Sequence, residues 1–340
     1  DTKILENNKV MIEDQFIGEI KGLKLELDLK KGALETDIKS LKKAARQTVG
    51  PELERRVQKI IETSLIELKE DFKIYWNEFS IAKLTQGKDY LNPNIELMVD
   101  DILEQNPRQK LIIFLENWIK NKINSILKSL IDLKNLKEKN SSIKALAYHL
   151  YENHGVIKRD QVSEYLKDLG QNERKILRNL GVKFGRYHVF LYRLIKPEAV
   201  SLRTLLWKNY HQKYFNLKPP TFGLNFIDND NLKNKNFMLL CGFEKFENLY
   251  IRIDILERLF MLIISNSEKE KEIKIIPEML NLLGCSNDKF KKLLKNMNYK
   301  IFEKNNETFF KYAPKKKLKK FDKKIVKESP FGILKNLDLN

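Results

Sequence analysis

The sequence predicts a mainly helical α+β chain with small β-hairpins near each end. Three observations lead there: short alternating runs bounded by turn residues in the first hundred positions, apolar residues at three- and four-residue steps through the middle third, and a helix, tight turn, helix, hairpin order near the C-terminus. A length of 340 residues suits two or three domains. With 42% hydrophobic residues the chain can build real cores, which argues against wholesale disorder.

In the first segment, Val10 and Ile12 face Ile17 and Ile20 across Glu13-Asp14-Gln15, a short hairpin. Leu23, Leu25 and Leu27 alternate with Lys24 and Glu26, the period of a half-buried strand. Phe72 to Trp76 and Phe79 to Leu84 form a second hairpin around Asn77-Glu78. Its returning strand, Ile81 to Leu84, echoes Ile17 to Ile20 sixty-four positions earlier, a hint of duplication. Two helices are expected between the hairpins: Thr36 to Val49, stopped by Gly50-Pro51, and a second from Pro51 to Glu62.

The middle segment opens with a helix whose stripe includes Leu111, Leu115, Ile119, Ile123 and Leu130. Further helices are expected over 142–153, 160–169, 172–180 and 198–214, with a strand-like run from Val182 to Phe190. Pro219-Pro220 and the polar run Asp228 to Asn236 predict a domain linker. Beyond it, Phe237 to Gly242 and Leu249 to Ile253 are expected as strands. Asp254 then caps a helix, with Glu257 completing a capping-box pair. Pro277 to Gly284 and Ser286 to Met297 give two more helices, and Asn305-Asn306 turns a hairpin of Tyr299–Phe302 and Thr308–Tyr312. That order is the one found in winged-helix domains, which bind nucleic acid or proteins. The expected division is therefore 1–105 hairpins and helices, 106–220 a helical domain, 221–312 winged-helix-like, and 313–340 a basic flexible tail.

No catalytic signature occurs. Neither GxxxxGK[ST], HExxH nor GxSxG is present, so no catalytic, cofactor-binding or metal-binding residue is assigned. His149, His154, His188 and His211 do not share metal-ligand spacing. His188, inside VKFGRYHVF, reads as a packed or hydrogen-bonded structural residue. Asp100-Asp101 reads as a solvated turn or cap. Two cysteines, Cys241 and Cys285, offer no disulfide framework and suit a reducing, cytoplasmic setting. No run of eighteen apolar residues exists, so no membrane partner is expected. The first residues lack an initiating Met and an apolar signal core, which suits a cut piece of a longer chain.

Charge is the informative feature. With 64 Lys+Arg against 46 Asp+Glu, the chain carries +18, which suggests a polyanionic partner, RNA or DNA; the plentiful Lys, Asn and Ile of a chain from an AT-rich genome are the bland alternative. Lys291, Lys292 and Lys295 fall on the helix side opposite Phe290, Leu293 and Leu294 and should point into solvent. Lys315, Lys316, Lys317, Lys319 and Lys320 follow in a run that cannot bury a core and would bind phosphates without base preference; the bland alternative is a solubilising tail. These eight lysines are the candidate nucleic-acid-binding set.

Three blocks, LGVKFGRYHVFLYRLIKPEAVSLRTLLW (180–207), GFEKFENLYIRIDILERL (242–259) and LLGCSNDKFKKLLKNMNYKI (282–301), resemble successive stretches of one family. GEIKGLKLELD (18–28), AARQTVGPELERRV (44–57) and SPFGILKNL (329–337) extend the likeness over almost the whole chain. It is similar to the C-terminal, post-motor half of large alphaproteobacterial superfamily-2 helicases, related to the mitochondrial degradosome RNA helicase. The resemblance implies a parent that is an ATP-dependent helicase, with ATP and magnesium bound only in a motor that this sequence lacks. These residues would supply strand guidance, and a nuclease or other protein could dock on them. A stand-alone basic winged-helix module is the other reading.

Overall fold

The computed structural model describes residues 2–29, 34–229, 234–267 and 272–313. It is α+β, with five small antiparallel sheets among the described residues. The chain separates into two compact units, Asp1–Met261 and Leu262–Asn340. Packing does not break near residues 105 or 220, where boundaries were expected. One apolar cluster runs from Val10 to Leu206, because helices of the middle segment cover the opening sheets.

The first unit opens with a four-stranded meander: β1 (Thr2–Ile4), β2 (Lys9–Ile12), β3 (Gln15–Lys21) and β4 (Lys24–Leu27). Helix α1 (Glu35–Thr63) follows, and then a second meander: β5 (Ile66–Leu68), β6 (Lys73–Trp76), β7 (Phe79–Asp89) and β8 (Asn92–Leu97). The two are copies. A bulge breaks the register between Val10 and Met11 in one and between Ile74 and Tyr75 in the other. Asn8 and Phe72, again sixty-four positions apart, sit at φ 65° and 66°. Ile20 donates its N–H to the Asn8 carbonyl at 2.9 Å, as Leu84 does to Phe72 at 2.7 Å. Val10, Ile17 and Ile20 are buried, and so are Ile74, Ile81 and Leu84 at the matching places. The echo read in the sequence thus covers whole sheets, including the short edge strands β1 and β5.

Helix α1 replaces the two helices expected, running straight through Gly50-Pro51. A proline clashes with the Cβ of the residue before it when that residue is helical; Gly50 has no Cβ. Val49 and Leu53, both at 0% exposure, hold the helix in place on either side. Arg56 ties it to the first meander, donating to the Gly22 carbonyl at 2.9 Å and pairing with Glu52 at 2.8 Å.

Helices α2 (Gln105–Ile126), α3 (Lys128–Lys134) and α4 (Ser141–Glu152) come next. The Asn140 side chain caps α4, accepting from the Ser142 and Ile143 N–H groups. From α4 onward one topology repeats. Strand β9 (Val156–Lys158), helices α5 (Ser163–Lys167) and α6 (Gln171–Asn179), and the hairpin β10 (Val182–Phe184) with β11 (His188–Leu191) make a three-stranded sheet of order β10-β11-β9. Then α7 (Pro197–His211), β12 (Phe226–Asp228), α8 (Lys235–Leu240), β13 (Phe243–Phe246) and β14 (Leu249–Arg252) give order β12-β14-β13. The first turns of α8 were expected to be a strand; Asn234 instead caps a helix there, accepting from the Phe237 N–H at 2.9 Å.

A third copy follows helix α9 (Ile253–Ser267), within which the two units divide. Strand β15 (Ile273–Lys274), α10 (Pro277–Leu283), α11 (Asn287–Asn296), β16 (Tyr299–Lys304) and β17 (Glu307–Tyr312) form a sheet of order β15-β17-β16. In each copy the turn from helix to hairpin needs a left-handed residue: Gly181, Gly242 and Asn298, at φ 92°, 87° and 65°. Their carbonyls accept N–H bonds from Tyr192, Ile253 and Ala313, the residues just beyond each last strand. The second unit's core gathers Met279, Leu283, Phe290, Leu293, Leu294 and Phe310. Gly284, at φ 68°, closes α10, and the turn residues Asn305 and Asn306 at φ 52° and 60° give the twist a two-residue hairpin needs. Among the described residues no helix is long and apolar enough to cross a membrane.

Candidate nucleic-acid interface

Helix α11 carries the predicted lysines. Ser286 caps it, accepting from the Lys289 N–H at 3.4 Å. Phe290, Leu293 and Leu294 are at 0% exposure and pin one face to the core, so the intervening positions turn outward. Lys292 and Lys295 are exposed. Lys291 departs from expectation. It is only half-exposed, and its Nζ reaches Glu303 Oε1 of β16 at 3.1 Å. Thr308 Oγ1 donates to the same oxygen at 2.8 Å. The hydroxyl bond first, and then the Lys291 ammonium, hold the Glu303 carboxyl below its usual range. Part of the helix's positive field is therefore neutralised by its own hairpin. Lys315, Lys316, Lys317, Lys319 and Lys320 lie outside the described residues.

The first unit holds buried charge that sequence reasoning left without partners. His188 is 2% exposed; its Nε2 lies 2.7 Å from Glu244 Oε2 and its Nδ1 3.5 Å from Glu257 Oε1. Burial opposes protonation, but the two carboxylates outweigh it and raise the imidazole above its ordinary value. Burial likewise disfavours the charged Glu244 and Glu257, and His188 overcomes it, so both carboxyls fall below their ordinary range. Glu257 also accepts from the backbone N–H groups of Arg186, Tyr187 and His188. It therefore fastens the β10–β11 turn and does not complete a capping box with Asp254, which pairs with Arg252 instead. A Cβ on Gly185 would lie 2.3 Å from the Glu257 carboxyl carbon, so a larger residue there would have to displace that carboxylate from its backbone donors.

Arg203 on α7 is at 0% exposure, and among the described residues it forms no ion pair with a carboxylate. It donates to the carbonyls of His154, Leu194 and Leu240, the last at 2.6 Å. Burial, followed by the charge of Arg203, holds His154 down at about 4. Asp100 corrects a second reading. It is 5% exposed rather than solvated, accepting from Leu25 N–H, Ile102 N–H and Lys42 Nζ, each at 3.1 Å. The turn role stands, with a buried carboxylate linking the opening sheet to α1.

Glu244 and Glu257 approach opposite ring nitrogens of His188, so the three donors diverge. Among the described residues no group of three or more His, Cys, Asp or Glu could hold a metal ion. Burial pushes the two thiols up, Cys241 to about 12 and Cys285 to about 11, so both stay protonated near neutrality.

Comparison with family models, with curated proteins and with solved structures gives no match.

Proposed function

We propose that this chain is the accessory, post-motor part of an ATP-dependent helicase, that its third helix–hairpin copy is a winged helix, and that it binds the nucleic-acid strand. The observation that carries the reading is helix α11. One face is sealed into a core by Phe290, Leu293 and Leu294 while Lys292 and Lys295 are exposed on the other, in a chain of net charge +18. The strand order β15-β17-β16 behind that helix supports the winged-helix assignment. ATP and magnesium belong to a motor elsewhere in the parent, since the sequence has no phosphate loop.

The test is fluorescence anisotropy with labelled single-stranded and duplex oligonucleotides across a salt series, beside an ATPase assay. Binding should weaken on the order of a thousandfold between 50 and 200 mM salt if about six lysines engage phosphates. No nucleotide hydrolysis is expected. Nucleic-acid-stimulated ATPase activity in a preparation free of other enzymes, or no binding at the lowest salt, overturns the proposal.

A further inference from the structure

The three copies treat the outer face of their sheets differently. In the first, central strand β11 is buried at all four positions. Its outward Phe190 packs with Val156, Ile253 and Leu239, the last two from segments that follow, and its outward His188 is covered by Glu244 and Glu257. In the second, β14 is buried at Leu249, Tyr250 and Ile251. In the third, the central strand β17 is buried at Phe310 alone. The matching outward positions are Phe309 and Lys311.

That face has a defined composition. Phe302 of β16 and Phe309 of β17 are cross-strand partners, half-buried, with rings 6.1 Å apart and 18° from parallel. Together they put a stacked, nearly parallel pair of rings on this face. Lys274 pairs with Phe309 from β15, and Lys304 stands beyond Phe302 on the same face. Lys300 and Lys311 face each other directly across the strands, and the Lys311 ammonium lies 5.7 Å from the Phe302 ring centroid. Like charges placed opposite each other on a sheet destabilise it; an anion between them removes that cost. Glu307 pairs with Lys274, and Glu272 reaches Lys304 at 3.6 Å, so acid is confined to one end.

We infer that the outward face of the β15-β17-β16 sheet is a stacking platform for single-stranded nucleic acid, with bases lying on Phe302 and Phe309 and phosphates tracking Lys300 and Lys311. Aromatic side chains stack on every base and so grip single strands without sequence preference, while lysines follow the backbone. A duplex hides its base faces and gains nothing from the rings. The charge selects a polyanion over an apolar protein segment, and the paired rings select unstacked bases over bare phosphate. This rests on the proposed nucleic-acid role and adds to it a preference for single strands carried by the sheet.

The test uses the full chain and labelled oligo-U, oligo-dT and a duplex of equal length. Phe302→Leu with Phe309→Leu keeps apolar cover on the face but removes both ring faces. Unchanged thermal unfolding shows the fold is kept, and Phe302→Tyr with Phe309→Tyr, which retains the rings, should bind as the parent does. The Leu pair should weaken oligo-U or oligo-dT binding roughly tenfold or more, leaving the salt slope and the duplex affinity in place. Equal loss on both sugars assigns the platform to bases alone; loss on one assigns it to that sugar. If the Leu pair binds single strands like the parent while Lys292→Ala with Lys295→Ala loses affinity, the platform is wrong and the helix reading survives. If the parent binds no nucleic acid at all, both fall together.

Discussion

His188 and Glu244 are fifty-six positions apart, yet the imidazole Nε2 stands 2.7 Å from the carboxylate Oε2 in a setting where neither side chain exceeds 5% exposure. The contact joins the hairpin of one repeat to the hairpin of the next, with Glu257 closing the other side of the ring. Removing Glu244 strips the buried imidazolium of its nearer carboxylate and leaves only Glu257, at 3.5 Å, to balance it. Glu244→Gln should therefore cost about 3 kcal/mol, read as a lower urea midpoint with an unchanged slope. A loss within experimental error would mean that His188 is neutral and the pair is an ordinary hydrogen bond.

The histidines should also shape stability against pH, in opposite directions. His188 has a folded-state pKa above its unfolded value. Its contribution is complete below about 6.5 and is lost as pH rises through the folded value. His154 is held at about 4, so it favours folding above 6.5 and loses about 3 kcal/mol as pH falls toward 4. Glu244 and Glu257, lowered in the fold, add stability above their unfolded values and lose it at more acid pH. The thermal midpoint should peak near pH 6 to 7. His188→Gln should flatten the alkaline side and, by taking its charge away from Glu244 and Glu257, shift the acid side as well, whereas His154→Gln should change the acid side alone. Calorimetry from pH 4 to 9 separates them.

Pro51 offers a stabilising change. It sits inside a 29-residue helix where it cannot donate its backbone hydrogen bond. Pro51→Ala restores the donor, against a smaller loss from greater unfolded-chain entropy. The net should be about 2 kcal/mol of added stability. A lower melting temperature in the variant would mean that α1 depends on a bend at this point.

Much of this architecture was legible because hydrophobic period reports burial directly. The stripe of α2, the alternation of β4 and the Asn305-Asn306 turn gave their elements, although the stripe ran on to Leu130, which lies on α3 beyond the break at Leu127. What escaped did so for identifiable reasons. The two-residue strand β15 and the three-residue strands β1 and β5 are too short to show a period. Gly50-Pro51 reads locally as a stop, and only the buried neighbours Val49 and Leu53 overrule it. Glu257 looked like a helix-capping partner because its real partners, the N–H groups of residues 186–188, lie some seventy positions away. The threefold repeat hides because its shared requirement is one left-handed residue before each hairpin, met twice by Gly and once by Asn. At the candidate site, the outward lysines of α11 were legible from their spacing against Phe290 and Leu294. The pairing of Lys291 with Glu303 was not, since it depends on how the hairpin folds back.

That pairing gives a prediction whose sign is opposite to ordinary loss of function. Glu303 accepts from both Thr308 and Lys291, so it withdraws one lysine from the field of α11. Glu303→Gln keeps the shape and an acceptor for Thr308 while releasing the Lys291 charge. If the face of α11 meets phosphates, affinity should rise and the salt slope should steepen by about one. Lys292→Ala with Lys295→Ala should flatten the slope by about two and weaken every sequence alike, because phosphate contacts carry no base information. The ion pair is solvent-exposed and contributes little to stability, so neither change should move the melting temperature much. Anisotropy on one oligonucleotide at four salt concentrations resolves both slopes. A Glu303→Gln protein whose slope matches the parent's, beside a Lys292/Lys295 variant whose slope is also unchanged, would remove α11 from the interface.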